Sequence, residues 1–227
     1  MHSSNRHQEI VHQLELIFAQ IASDGEVCHR TNPPKITQTI TWNQLNLWQT
    51  ATKAISLSGW WQFCLIAFGS LISVIYPHPP LIAFAAVSGN TLTRNKALLS
   101  MTGIWLANQL YGFTVRHYPQ TLESFTWGLV MGISILFVTW LMTLQPKFSR
   151  NNVQGYLIWL AVSVVGGFVI YQGNITLLAQ LIGEYELSWT VLWGIFLKDI
   201  VWAIALSIFH GFILIAIALK LIKQLMK

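Results

Sequence analysis

Six apolar runs follow one another along the chain, at 59–76, 79–93, 97–115, 122–144, 155–175 and 200–220. That succession limits the fold more than any other feature, because a helix needs about 20 mainly apolar residues to cross a bilayer core. Backbone polar groups find no water in lipid, so the runs are expected as helices. The sequence predicts an all-α, polytopic helical membrane protein with about six transmembrane helices in residues 59–227. Only 9% of residues are charged, against about 25% in an average soluble domain. Eleven tryptophans suit a chain with long membrane–water borders. The second run is the shortest and opens with Pro79-Pro80 after His78.

Charge placement orients the runs. Arg6, Arg30, Lys35 and Lys53 precede the first, Arg94 and Lys96 divide the second from the third, and Lys147 and Arg150 divide the fourth from the fifth. Lys220, Lys223 and Lys227 follow the sixth. With both termini cytoplasmic (N-in/C-in), every one of the 13 basic residues except Arg116 and Lys198 lies inside, and Glu123, Glu184 and Glu186 lie outside. The positive-inside rule predicts that asymmetry. The expected location is a bacterial inner (cytoplasmic) membrane, and the pI of about 9.4 answers to an anionic inner leaflet. The lipid bilayer is the first expected partner, and no basic patch interleaved with aromatics points to nucleic acid. No signal peptide or lipidation motif is expected.

Residues 1–58 read as a cytoplasmic arm. Ile10, Val11, Leu14, Ile17, Phe18 and Ile21 recur at helical spacing opposite Gln and Glu, which makes an amphipathic, interfacial helix. Pro33-Pro34 interrupts it. Thr41 to Gln44 has the form of a capping box opening a second helix toward Lys53. Trp42, Leu45, Trp48 and Ile55 are expected to hold that helix against headgroups. The arm anchors to lipid or docks a partner.

Polar residues inside the runs are the candidate site. Trp105, Asn108, Gln109 and Gly112 share one face of the third helix, with Asn108 roughly 10 Å short of its outer end at ~1.5 Å per residue. Adjacent amides at that depth need hydrogen-bond partners, from a neighbouring helix or from a solute. Tyr171, Gln172, Gly173 and Asn174 cluster at similar height on the fifth helix, where Gly173-Asn174 is expected to end or interrupt it. Gly166-Gly167 below them permits close packing or a bend. The apolar stretch from Leu187 to Leu219 is too long for one crossing of a ~30 Å core. The outer membrane boundary is expected near Lys198-Asp199, with 188–197 as an interfacial or outer helix leading into the span. Asp199, Trp202, Leu206 and His210 then form one stripe, with His210 near the midplane. Intramembrane ionisable groups are functional candidates. Arg116, Tyr111 and Trp127 complete the set, and all but His210 are expected around one outward-open pocket.

Catalytic signatures are absent. There is no HExxH, CxxC, GxSxG or phosphate-binding GxxxxGK[ST], so no enzyme, no cofactor and no metal is expected. Cys28 and Cys64 are expected to stay unpaired. Trp105-Leu-Ala-Asn-Gln109 with Gly112-Phe113, Tyr118-Pro119, and Trp127-Gly128 with Gly132 read as a family signature. Together with six spans and an outward polar pocket, residues 59–223 resemble the substrate-binding S-components of energy-coupling-factor vitamin transporters. That resemblance implies a small-molecule ligand and a transmembrane coupling protein with an ATPase. Family members dock through an Ala-x-x-x-Ala face on the first helix, where this chain has Ala67 and Gly69-x-x-x-Ser73. The cobalamin-binding type uses a cysteine near its pocket, whereas Cys64 lies toward the cytoplasmic end.

The expected function is binding of a small solute, a vitamin or related micronutrient, in an outward-facing pocket for uptake. Asn108, Gln109, Tyr171, Gln172 and Asn174 would supply hydrogen bonds there, Trp105 and Trp127 a stacking wall, and Arg116 with Lys198 a pull on an anionic group. The alternative is a membrane scaffold or assembly factor that docks a partner complex through its arm.

Overall fold

A computed structural model of the protein describes residues 47–182 and 188–225. The amphipathic segment at 10–21, the capping box at 41–44, Glu184 and Glu186 lie outside the described residues. Within them the chain is all-helical, with eight helices and no strand. These are α1 (Leu47–Leu57), α2 (Gly59–Ile75), α3 (Leu81–Thr91), α4 (Arg94–Thr114), α5 (Leu122–Met142), α6 (Lys147–Asn151), α7 (Val153–Ile182) and α8 (Trp189–Leu225). Each of the six apolar runs yields a helix. Three of the helices are long and apolar enough to cross a membrane: Leu122–Met142, Val153–Leu181 and Trp189–Leu219. α4 is long but carries Arg94, Lys96, Asn108 and Gln109. The protein is membrane-embedded, and α1 and α2 make a fourth such segment if their 67° bend is counted as one broken span. Ser58 produces that bend by capping α2, its Oγ accepting from the Trp60 N–H at 3.2 Å.

The centre of the bundle is the shortest of its apolar helices. α3 is LIAFAAVSGNT, apolar on every side, and such a helix belongs in a protein interior. It packs against α1, α2, α4, α5, α7 and α8, and every residue from Leu81 to Gly89 is buried. Small residues allow the neighbours in: a Cβ at Gly89 would lie 2.7 Å from Met142 Cβ. Gly167 of α7 plays the same part, since its Cβ would collide with Met142 Cε and stand 3.0 Å from Val138 Cγ1. Gly166 beside it faces open space, so only one of the pair is a packing glycine.

At eleven residues, α3 spans only about 16 Å. Both its ends therefore sit inside protein, and both are satisfied by other helices. At its C-terminal end Gln145 Nε2 donates to Gly89 O at 2.8 Å, Asn90 Nδ2 donates to Ser163 Oγ at 3.2 Å, and Trp61 Nε1 donates to Thr91 Oγ1 at 2.9 Å. At its N-terminal end no local side chain caps the helix, because the cap residue is Pro80. Asp199 of α8 reaches in instead, and its Oδ1 accepts from the Ala83 N–H at 3.1 Å.

One expected break is absent: α7 runs uninterrupted through Gly173-Asn174, and α8 is one helix through Lys198-Asp199. The Lys198-Asp199 pair has no reason to unwind the helix. Lys198 extends its ammonium over the Tyr76 ring at 5.6 Å, while Asp199, about 100° round the helix, meets the α3 terminus. In α7 a mid-helix glycine costs only about 1 kcal/mol, and Tyr171, Gln172, Ile175 and Ala179 keep burying one face across it. Trp48 and Ile55, expected against headgroups, also face inward. Ile55 and Ala51 are core residues, and α1 packs on α3, α6 and α8.

Candidate functional site

The sequence-selected polar residues fall in three places. The first is the turn from Tyr76 to Pro80 that joins α2 to α3. Arg116 Nη2 donates to Ser73 O at 3.1 Å and to Val74 O at 3.2 Å. Those are among the last carbonyls of α2, which a helix leaves unsatisfied at its end, and a cation there also suits the helix dipole. The guanidinium stands 5.3 Å from the centre of the Tyr111 ring. Arg116 thus closes the end of α2 as Asp199 closes the start of α3, with Lys198 above Tyr76 between them. Two of the three ionisable residues expected at a solute pocket are helix caps acting between helices. His78 is exposed in the same turn. Partial burial, and behind it the positive charges of Lys198 and Arg116, hold its imidazole below the usual histidine range.

The second place is the α4–α5 contact. Trp105 Nε1 donates to Gly128 O at 2.9 Å, and its ring lies where a Cβ on Gly132 would stand, 2.5 Å from Cε2. Gln109 Oε1 presses on Gly128 itself. Trp127-Gly128 and Gly132, read as part of a family signature, are here the seat for Trp105 and Gln109. Asn108 is half-buried beside them, and Trp127 packs half-buried on the core. Gly112 has a similar use: His117 takes a left-handed φ of 54° after α4, which folds the Tyr118 ring back to 2.7 Å from where a Gly112 Cβ would be. On α7, Tyr171 and Gln172 are buried and Asn174 is half-buried.

The third place is a cleft between α1, α7 and α8, at the end of the bundle that carries α6. It holds about 460 Å³, and its walls include Trp48, Tyr156, Leu160, Ser207, His210 and Leu214. Among the described residues, no Lys, Arg, Asp or Glu lines it. His210 is 2% exposed, with the Trp61 ring at 5.3 Å and the Tyr156 ring at 5.9 Å. Tyr156 Oη and Ser207 Oγ pair at 3.2 Å. Among the described residues, the buried side-chain nitrogens and oxygens without a hydrogen-bond partner are His210 Nε2 and Trp48 Nε1. Both residues line this cleft, but neither nitrogen is exposed in it.

Of the twelve selected residues, the geometry therefore brings Tyr111, Arg116, Lys198 and Asp199 to one turn and Trp105 with Gln109 to one interface, and puts His210 at the opposite end. Trp48, Tyr156 and Ser207 were not selected. Ser207 does carry a sequence signal, since it lies three residues before His210 on one face of α8. Trp48 and Tyr156 carry none, because an indole or phenol near a helix end reads as an interfacial anchor. Among the described residues no group of three or more His, Cys, Asp or Glu is placed to hold a metal. Comparison of the chain with protein families, with curated proteins and with solved structures finds no match.

Proposed function

We propose that the protein is a six-span membrane protein, with both termini cytoplasmic, that binds a small lipophilic molecule in the cleft between α1, α7 and α8. The observation that carries this reading is the cleft itself, about 460 Å³ and lined, among the described residues, by no Lys, Arg, Asp or Glu. Its volume lies inside the ~300–1,000 Å³ range of small-molecule sites, which are mostly apolar, and its apolar walls suit a lipophilic occupant. The distribution of basic residues along the chain supports the orientation.

In this reading the solute expected from the sequence becomes a lipophile that enters from the bilayer, and the site moves to the cytoplasmic half. The polar residues of the other half serve the helices: in lipid every backbone end must be satisfied within the protein, and Arg116 and Asp199 do that. The uptake role implied by the S-component resemblance would consist of capture, with any translocation driven through a coupling protein and its ATPase.

The test is organic extraction of the protein purified from its native membranes, followed by mass spectrometry. One small molecule should co-purify near one per chain and be lost in Leu160→Trp, which fills the cleft. Identical extracts from the two proteins would overturn the proposal.

A further inference from the structure

The end of the bundle away from the cleft carries a second feature that the packing does not use up. We infer that Lys198, His78 and the outward edge of Arg116 form a site for a phosphate group bearing net negative charge.

Placement is the first observation. Of the 13 basic residues, Arg116 and Lys198 are the two that the positive-inside pattern leaves on the outer side. They come from different helix ends, yet both are seated on the end of α2. Arg116 bonds the carbonyls of Ser73 and Val74, Lys198 stands 5.6 Å from the centre of the Tyr76 ring, and His78 follows in the same turn. Partial burial, and then the charges of Lys198 and Arg116, hold the His78 imidazole below its usual range, so the three groups share one field.

Charge balance is the second. The acids among the described residues are Glu123 and Asp199, and within those residues neither makes an ion pair with Arg116 or Lys198. The Asp199 carboxylate, 1% exposed, is turned into the bundle and accepts from the Ala83 N–H. It lowers the local positive potential without occupying either cation. Arg116 spends Nη2 on the two carbonyls, which leaves Nε and Nη1 without a partner among the described residues. A guanidinium edge and an exposed ammonium are the donors that phosphate oxygens accept from.

The surroundings are the third. Val74 and Ile75 beside the turn, and Leu197 and Val201 beside Lys198, are exposed apolar residues, and Val201 shares a helix face with Lys198. In a membrane such residues meet acyl chains. A phosphate held here by a lipid would have its tails in place, which favours an anionic lipid head over free phosphate.

The test uses the full chain in dodecyl maltoside with ring-labelled histidine, the His78 signal being assigned with His78→Gln. Dihexanoyl phosphatidylglycerol should move the His78 titration upward and saturably, because a bound anion favours the protonated imidazole. Dihexanoyl phosphatidylcholine, which has no net charge, should move it far less. Lys198→Gln should raise the phosphatidylglycerol concentration needed about two- to fivefold, the range for an exposed charge. Lys147→Gln removes the same charge at the α6 end and should change nothing. Inorganic phosphate acting as well as phosphatidylglycerol would assign the site to a free anion, and acting weakly would assign it to the lipid head; both results uphold the site. No saturable shift with either would overturn it, as happens if a carboxylate from elsewhere in the chain already neutralises Lys198. Phosphatidylcholine matching phosphatidylglycerol, or equal losses in Lys198→Gln and Lys147→Gln, would overturn it too.

Discussion

Replacing Asp199 tests how the central helix is held. Its carboxylate is 1% exposed, accepts from the Ala83 N–H at 3.1 Å and also meets the Ile82 N–H. Asp199→Asn keeps an acceptor oxygen at nearly the same place. It loses the attraction between a charge and the helix N-terminus, worth about 0.3–2 kcal/mol, and escapes the cost of burying that charge. The two effects oppose, so Asp199→Asn should unfold close to the parent. Asp199→Leu keeps the branched shape, is larger and has no acceptor. It strands two buried N–H groups at about 1–3 kcal/mol each and recovers about 1.5–3 kcal/mol from burying a leucine. A deficit of about 1–3 kcal/mol against Asp199→Asn remains. The comparison of two neutral variants removes charge burial from the difference. Unfolding in a graded detergent series, followed by tryptophan fluorescence, gives the order, and hydrogen exchange at the Ala83 amide gives the location. Asp199→Leu unfolding no earlier than Asp199→Asn, with Ala83 equally protected in both, would refute the capping argument.

Three further outcomes follow from the packing and the turn. Gly166→Ala should be neutral or stabilise by up to about 1 kcal/mol, because the site is open and alanine is the better helix former; Gly167→Val in the same helix should cost about 1–3 kcal/mol by overpacking against Val138 and Met142. Trp105→Phe should cost about 0.5–1.5 kcal/mol by removing the bond to Gly128 O, and a stability loss without any change in bound lipid would separate this interface from the cleft. His78, read by its ring-proton shift, should titrate below 6.5. Lys198→Gln should move it part of the way back. In the unfolded chain the same imidazole binds a proton more readily, so its contribution to stability is complete above about pH 6.5 and declines as pH falls toward the folded value.

Much of the fold is legible in the order of residues. The six apolar runs each lie in a helix, with boundaries near those expected for α2 to α5, while α7 and α8 run past theirs; apolar length and basic punctuation are local properties of the chain. The mostly apolar LIAFAAVSGNT segment reads in sequence only as the shortest run, and its central position is set by the helices packed around it. The Gly166-Gly167 pair reads in sequence as a place for close packing or a bend; tertiary placement decides for packing, and for Gly167 against Met142. The polar residues are another matter. Arg116, Trp105 and Asp199 are legible as buried polar groups that require partners. Sequence spacing describes neighbours on one helix and says nothing of carbonyls or amides on another. Arg116 and Asp199 find theirs 42 and 116 residues away. Those distant partners are also why α8 stays whole through Lys198-Asp199. A helix breaks at polar residues only when they are satisfied no other way, and here the ends of α2 and α3 satisfy them. The cleft belongs to the same category. His210 announces itself as an ionisable group in an apolar run, but the cavity exists only because α1 folds back to set Trp48 across from α7 and α8.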